Sequence, residues 1–273
     1  RQYHVLCLCH GRDIFRPEIR LHTGKSRPSL VNIQIIVPED LSEKSIKELV
    51  GAAAESCEKL QIASVQADVT AAAGLKEPMI TVMASGESGS LFESEKACAD
   101  QDIIMAGYTG GYGAAKLTFA NEAELENHFN SVFLSLILEA DYTGDAISTV
   151  KAVEAAAAAG VRTMYACGEG GVYSAVWELA ENAGLGARIQ LKKVPLKQET
   201  VEICDYFNIS PYQLLSVGAV LLTATHGQKV LAELAAAGIP AVIIGHLTDD
   251  NAGYLWNPLT GVYLFPRGAQ EYA

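Results

Sequence analysis

The stretch Met164–Ala180, MYACGEGGVYSAVWELA, joins a β-rich run to a glycine turn and then to an amphipathic helix. Val161 to Ala166 alternates in hydrophobicity and predicts a strand. Glu169-Gly170-Gly171 lets the backbone turn tightly, and Val172, Val176, Trp177, Leu179 and Ala180 recur at helical spacing, which predicts one apolar helix face. Backbone N–H groups at such a helix start point at whatever lies in front of them, commonly an anion. The run is read as a ligand-facing turn; a plain strand-to-helix connection is the competing reading.

The same alternation extends outward. Downstream, Ala187–Val194 reads as a strand, Gln198–Phe207 as a helix, Val217–Ala224 as a strand, Gln228–Ala237 as a helix and Ala241–Leu247 as a strand. Upstream, Ile103–Ala106 reads as a strand, followed by the glycine cluster GYTGGYG, a long helix Glu122–Ala140 started by Asn121, and a helix Ala146–Ala159 stopped by Gly160. The first hundred residues give strands at Tyr3–Cys9, Leu30–Val37 and Met79–Ala84, and a helix Leu41–Leu60 with Ser42 as its N-cap. Ser85–Gln101 is polar and acidic and reads as a connector with a scrap of helix. The fold class is α/β (α+β), with helices covering sheet faces, in two domains, 1–100 and 101–273. No internal repeat of fixed period is evident.

Composition sets the limits. The chain has 273 residues, 49% of them hydrophobic, and a formal charge of −12. That length suggests two cores rather than one. The acidic balance argues against nucleic acid and anionic membranes as partners, and no apolar run reaches the length of a membrane span. The six cysteines show no C-x-x-C spacing, which fits a reduced, cytoplasmic setting. The opening RQYHVLCLCHG has no leading Met and no cleavage site, so the first domain is expected to be truncated at its start.

Several motif readings fail on their own chemistry. His22-Thr23-Gly24-Lys25-Ser26 lacks the glycine that a phosphate loop needs at position 19, which is Ile19. Gly107 to Gly113 is not a dinucleotide fingerprint. On a strand Cys7 and Cys9 share one face while His4 and His10 share the other, so the four do not converge on one metal. No G-x-S-x-G elbow is present. His226, at a strand-to-helix turn, reads as a surface or capping histidine.

Taken together, EGGVYSAVWELAENAGLGARIQLKKVPLKQETVEICDYFNISPYQLLSVGAVLLTAT (Glu169 to Thr225), VLAELAAAGIPAVIIGHLTD and LVNIQIIVPEDLSEKSIKELVGAAAESCEKLQIA resemble one superfamily. This is the ATP-dependent aminoimidazole ribonucleotide synthetase (PurM-like) fold, and within it the hydrogenase-maturation carbamoyl dehydratase branch. The resemblance spans nearly the whole chain and implies an N-terminal, dimerising, ATP-binding-type domain and a C-terminal α/β domain. It also implies ATP and Mg²⁺ as cofactors, phosphorylation of an amide or carboxamide-type oxygen, and a homodimer. A small-molecule or nucleotide ligand is expected, with no nucleic acid and no membrane partner.

Magnesium wants hard oxygen ligands gathered around the triphosphate. Where the family carries Thr-Asp at a strand end, this chain has Leu8-Cys9-His10; where it carries Asn-Asp, the matching stretch is near Thr23-Gly24. The family's Gly-Gly-His/Asp-Thr-Glu appears as Ser64-Val65-Gln66-Ala67-Asp68, and its His-Asp-Val-Thr/Ser-Glu-Gly-Gly as Tyr165-Ala166-Cys167-Gly168-Glu169-Gly170-Gly171. The expected ligand-binding residues are therefore His10, Asp68, Glu169, Gly170 and Gly171, with Asp68 as the metal ligand. With most carboxylates lost, the leading expectation is a non-catalytic or repurposed ligand-binding, regulatory homodimer. An active ATP-dependent enzyme with unusual metal ligands is the alternative, and a purely structural α/β protein is a third.

Overall fold

A computed structural model describes residues 2–10, 26–59, 64–76, 78–88, 95–141, 149–249, 254–257 and 261–264. The chain divides into two compact units, Arg1–Phe92 and Glu93–Ala273.

The first unit is a four-stranded sheet with the order β1-β4-β2-β3. Its strands are β1 (Gln2–His10), β2 (Ser26–Pro38), β3 (Ser64–Ala72) and β4 (Met79–Ser88). β4 runs antiparallel to both β1 and β2, while β2 and β3 are parallel, with the helix Glu43–Lys59 between them in sequence. Ser42 caps that helix as expected: its Oγ accepts the Ser45 N–H at 3.1 Å. Val31, Ile33, Ile35 and Val37 alternate along β2 and, with Ile80 and Val82, form the core against which Leu41, Ile46, Leu49 and Val50 pack.

β3 is an element the sequence reading did not contain. It sits at the sheet edge with eight of its nine residues exposed, so no buried face imposes an alternating pattern on SVQADVTAA. Parallel pairing to β2, from Leu30↔Ser64 to Pro38↔Ala72, holds it in place.

The second unit is built on a five-stranded sheet, order β6-β8-β5-β9-β7, in which every pairing is antiparallel. The strands are β5 (Asp102–Ala106), β6 (Thr163–Ala166), β7 (Gly186–Ile189), β8 (Val220–Ala224) and β9 (Ala241–Thr248). A central strand such as β8 is buried along Val220–Thr223 because both its faces are covered. The largest core joins Ile103, Met105, Leu221 and Ile244 to the apolar stripe Val172, Val176 and Leu179 of the helix Gly171–Ala183. A two-stranded hairpin, β10 (Tyr254–Asn257) and β11 (Gly261–Leu264), was not expected.

Several predicted elements change form. The expected helix Glu122–Ala140 is two pieces, Glu122–Leu125 and Ser131–Asp141. Asn130 Oδ1 accepts the Phe133 N–H at 2.9 Å and so caps a new helix, while Phe129 stacks on Phe133 with ring centroids 4.9 Å apart. The glycine cluster is more than a loop, since it opens the helix Gly111–Ala120. The expected strand Ala187–Val194 ends at Ile189 and turns through a 3-10 helix, Leu191–Lys193, ahead of Pro195. The connector Ser85–Gln101 begins as strand, because β4 runs through Ser88, and residues 95–101 are coil and turn without helix. The helix expected from Ala146 is described from Val150 to Ala158, its start lying outside the described residues. Among the described residues no helix is long and apolar enough to cross a membrane.

Candidate functional site

β5 and β6 both pair antiparallel with β8, so they run in the same direction and end at the same edge of the sheet, Ala106 and Ala166 each opposite Val220. Each strand then enters a glycine turn and a helix. The two segments, Ala106-Gly-Tyr-Thr-Gly-Gly-Tyr-Gly-Ala-Ala115 and Ala166-Cys-Gly-Glu-Gly-Gly-Val-Tyr-Ser-Ala175, lie 60 positions apart and share Ala-x-x-x-Gly-Gly-x-x-x-Ala. Gly110 and Gly170, the residues before the two helices, both have φ 74°, a left-handed conformation that glycine adopts without a Cβ penalty.

The segment Ser210–Ala219, which leads into β8, is wedged between these turns and bonded to both. Gly113 N–H donates to Leu215 O at 2.9 Å, Tyr173 N–H to Tyr212 O at 3.4 Å, and Ser216 N–H to Gly168 O at 3.2 Å. Ser216, fully buried, is the hub: its Oγ accepts the Gly110 N–H at 2.8 Å and shares a hydrogen bond with Thr109 Oγ1 at 2.9 Å. The approach is too close for side chains. A Cβ on Gly171 would overlap Tyr212 O and lie 2.7 Å from Leu214 O, both backbone atoms that cannot swing aside. Tyr173 and Tyr212 stack nearly parallel, at 9° and 5.7 Å between centroids, and both pack against the main core.

Burial sets the titration of the surrounding groups. The Cys167 thiol is pushed up to about 12, chiefly by burial and then by the Glu178 carboxylate, so at neutral pH it is a small neutral side chain. Burial also raises Tyr165, against a lowering hydrogen bond from Asn182, and raises Tyr212.

Of the residues singled out in the sequence, Glu169, Gly170 and Gly171 fall together in the second turn, with the Glu169 side chain exposed. The helix start faces protein more than an open anion site: Gly171 N–H donates to Gly168 O at 3.1 Å, and Tyr173 N–H is taken by Tyr212 O. Asp68 is exposed on β3, paired with Gln34, and His10 ends β1, paired with Met79. These are the two outer strands of the first sheet, three strand spacings or roughly 14 Å apart. The β1 register pairs Cys7 and Cys9 with Val82 and Ile80, and His4 and His10 with Ser85 and Met79. Thr109, Tyr212 and Ser216 were not singled out in the sequence, although the resemblance had marked the segment SPYQLLSVG that holds the last two.

The family model for AIR synthase related protein, C-terminal domain, matches residues 116–256, which include Glu169–Gly171 and Ser216. A putative hydrogenase expression/formation protein of Methanocaldococcus jannaschii is 22% identical over 245 residues, covering 86% of this chain and 69% of that protein. Carbamoyl dehydratase HypE of Rhodobacter capsulatus is 23% identical over 241 residues, covering 85% and 68%. Among solved structures, E. coli HypE, a hydrogenase maturation protein, superposes with a TM-score of 0.79 at 16% identity, covering 100% of this chain and 87% of that one. HypE in complex with ATP superposes with a TM-score of 0.73 at 15% identity, covering 99% and 86%. These two share the two-domain, PurM-like fold. The chain belongs to the AIR synthase related family, in its HypE-like, hydrogenase-maturation branch.

Proposed function

We propose that this chain is a non-catalytic or repurposed member of its family, a ligand-binding, regulatory homodimer in which most Mg-ATP carboxylates are lost. The placement of Asp68 and His10 carries this reading. Ligands to one Mg²⁺ lie about 2.1 Å from it, and these two residues stand on opposite outer strands of their sheet. The residues do not fit a shared magnesium site, and no step is routed through the metal. Glu169, Gly170 and Gly171 are proposed to line the ligand site of the C-terminal domain, with His10 and Asp68 contributing to that of the N-terminal, ATP-binding-type domain. The division at residues 100 and 101 is part of the same proposal, as is a cytoplasmic setting, which the free thiols of Cys98, Cys167 and Cys204 support.

The homodimer reading rests on the first sheet. Its β3 edge leaves Val65 and Val69 each 41% exposed, on the face they share with Val31 and Ile35, apolar surface that a second copy pairing along this edge would cover; Met83, 43% exposed, lies on the opposite face. Changing Val65 and Val69 together to Lys should turn a dimer into a monomer in sedimentation while leaving the fold intact. A wild-type monomer at micromolar concentration would remove this part of the reading.

The second reading is an active ATP-dependent enzyme whose metal ligands come from unusual places, with Asp68, Glu169 and His10 as candidates. The fold shared with a HypE that has been seen with ATP favours it. Calorimetric titration with ATP, with and without Mg²⁺, separates the two. The first reading predicts no magnesium-dependent binding. Magnesium-dependent micromolar binding that vanishes in Asp68→Ala would decide for the enzyme.

A further inference from the structure

In a chain of net charge −12, the stretch Asn182 to Gln198 holds four cations, Arg188, Lys192, Lys193 and Lys197, and no acid. The fold gives this stretch a fixed frame. β7 carries the exposed Arg188 and is bonded to β9 on its inner side. Gln190 N–H then donates to Ile244 O at 2.8 Å, and the following turn is closed by Lys193 N–H to Gln190 O at 2.8 Å and Val194 N–H to Leu191 O at 3.1 Å. Val194 is buried in the main core and Leu191 packs against it, so Lys192 and Lys193, both exposed, stand on a turn anchored on either side. Beyond it, the Pro195 carbonyl accepts the Thr109 N–H at 3.0 Å, and the Lys197 ammonium stands 5.3 Å from the centre of the Tyr108 ring.

Arg188 and Lys197 hold other partners in the fold, so the exposed Lys192 and Lys193 supply the positive charge that draws anionic groups in this acidic chain. Cations on a core-anchored turn lose less freedom on binding than cations on a floppy loop. They are also distributed, one on a strand, two on the turn and one at the start of the helix Gln198–Tyr206, rather than gathered around a point. A series of carboxylates along an extended chain matches that distribution better than a single phosphate group. We infer that the strip Arg188–Lys197 docks an acidic, extended polypeptide segment of a partner protein.

The test uses the full chain and a fluorescein-labelled peptide of alternating glutamate and serine, followed by anisotropy at low and high salt. Binding should weaken as salt rises, and K192Q/K193Q should weaken it about tenfold. The control K44Q/K47Q, on the helix Glu43–Lys59 where both lysines already pair with glutamates four residues away, should stay within about twofold. Equal affinity in K192Q/K193Q and wild type would overturn the inference. So would tighter competition by tripolyphosphate, which would assign the strip to a phosphate ligand, or loss of self-association in K192Q/K193Q, which would assign it to a second copy.

Discussion

The two glycine turns at the end of the second sheet have one backbone design and opposite exposures. In the first, the third residue, Thr109, is fully buried and locked to Ser216. In the second, the equivalent residue, Glu169, projects its carboxylate into solvent. The second residue reverses in the other sense, Tyr108 exposed in the first turn and a glycine, Gly168, in the second. A shared strand-turn-helix frame thus buries the third side chain of one turn as a structural clasp and exposes that of the other. What distinguishes them is the side chain at one position, since the wedge segment bonds to both turns.

The sharpest way to break this comparison is to fill the space that the glycines leave. Gly171→Ala forces a Cβ onto two backbone carbonyls at φ 61° and should cost about 3 kcal/mol or more in denaturant unfolding. Gly170→Ala meets the Ser174 hydroxyl, which can rotate away, and the Ser174 Cβ at 2.8 Å, which cannot, but no backbone carbonyl, and should cost about 2 kcal/mol. If the two were equal, the wedge would not be the rigid body described here.

Ser216→Ala removes the hub and leaves the Gly110 N–H and Thr109 hydroxyl without their partner in a buried site. The expected loss is about 1–3 kcal/mol, read as a lower melting temperature. A neutral substitution would show that the first turn holds itself.

The Cys167 thiol gives a pH test of burial at the second turn. Its pKa lies near 12 in the fold against 9.0 when exposed, so the folded state keeps a proton that the unfolded state releases. Its contribution is fully present below pH 9 and is lost as pH rises toward 12, at a limit of about 1.4 kcal/mol for each pH unit. Comparing the alkaline stability profiles of wild type and Cys167→Ala checks this; identical slopes would contradict it.

Glu169→Gln should be the mildest change, within about 0.5 kcal/mol in stability, because the carboxylate is exposed. Under the proposed function its effect falls on ligand binding, and a large loss of stability would place Glu169 with the clasp instead.

The second turn was legible in the sequence because strand alternation, three consecutive turn residues and a helical apolar stripe all point to one arrangement. Its counterpart was not, since GYTGGYG offers no apolar contrast and its helix is fixed by contacts with Leu214 and Leu215, about a hundred residues downstream. β3 was invisible for a different reason: a strand exposed on an edge carries no periodic signal. The break at Asn127–Asn130 was hidden because its neighbours read helical, and only the Asn130 cap and the Phe129–Phe133 stack reveal it. The candidate residues of the first unit were found by motif position alone, which says nothing of the sheet that separates His10 from Asp68.

Release of phosphate from ATP by the purified chain in the presence of Mg²⁺ tests the central claim most directly. The account predicts no release above the rate without protein, and no difference between wild type, Asp68→Ala and Glu169→Gln. Magnesium-dependent turnover by wild type that either substitution abolishes would contradict it.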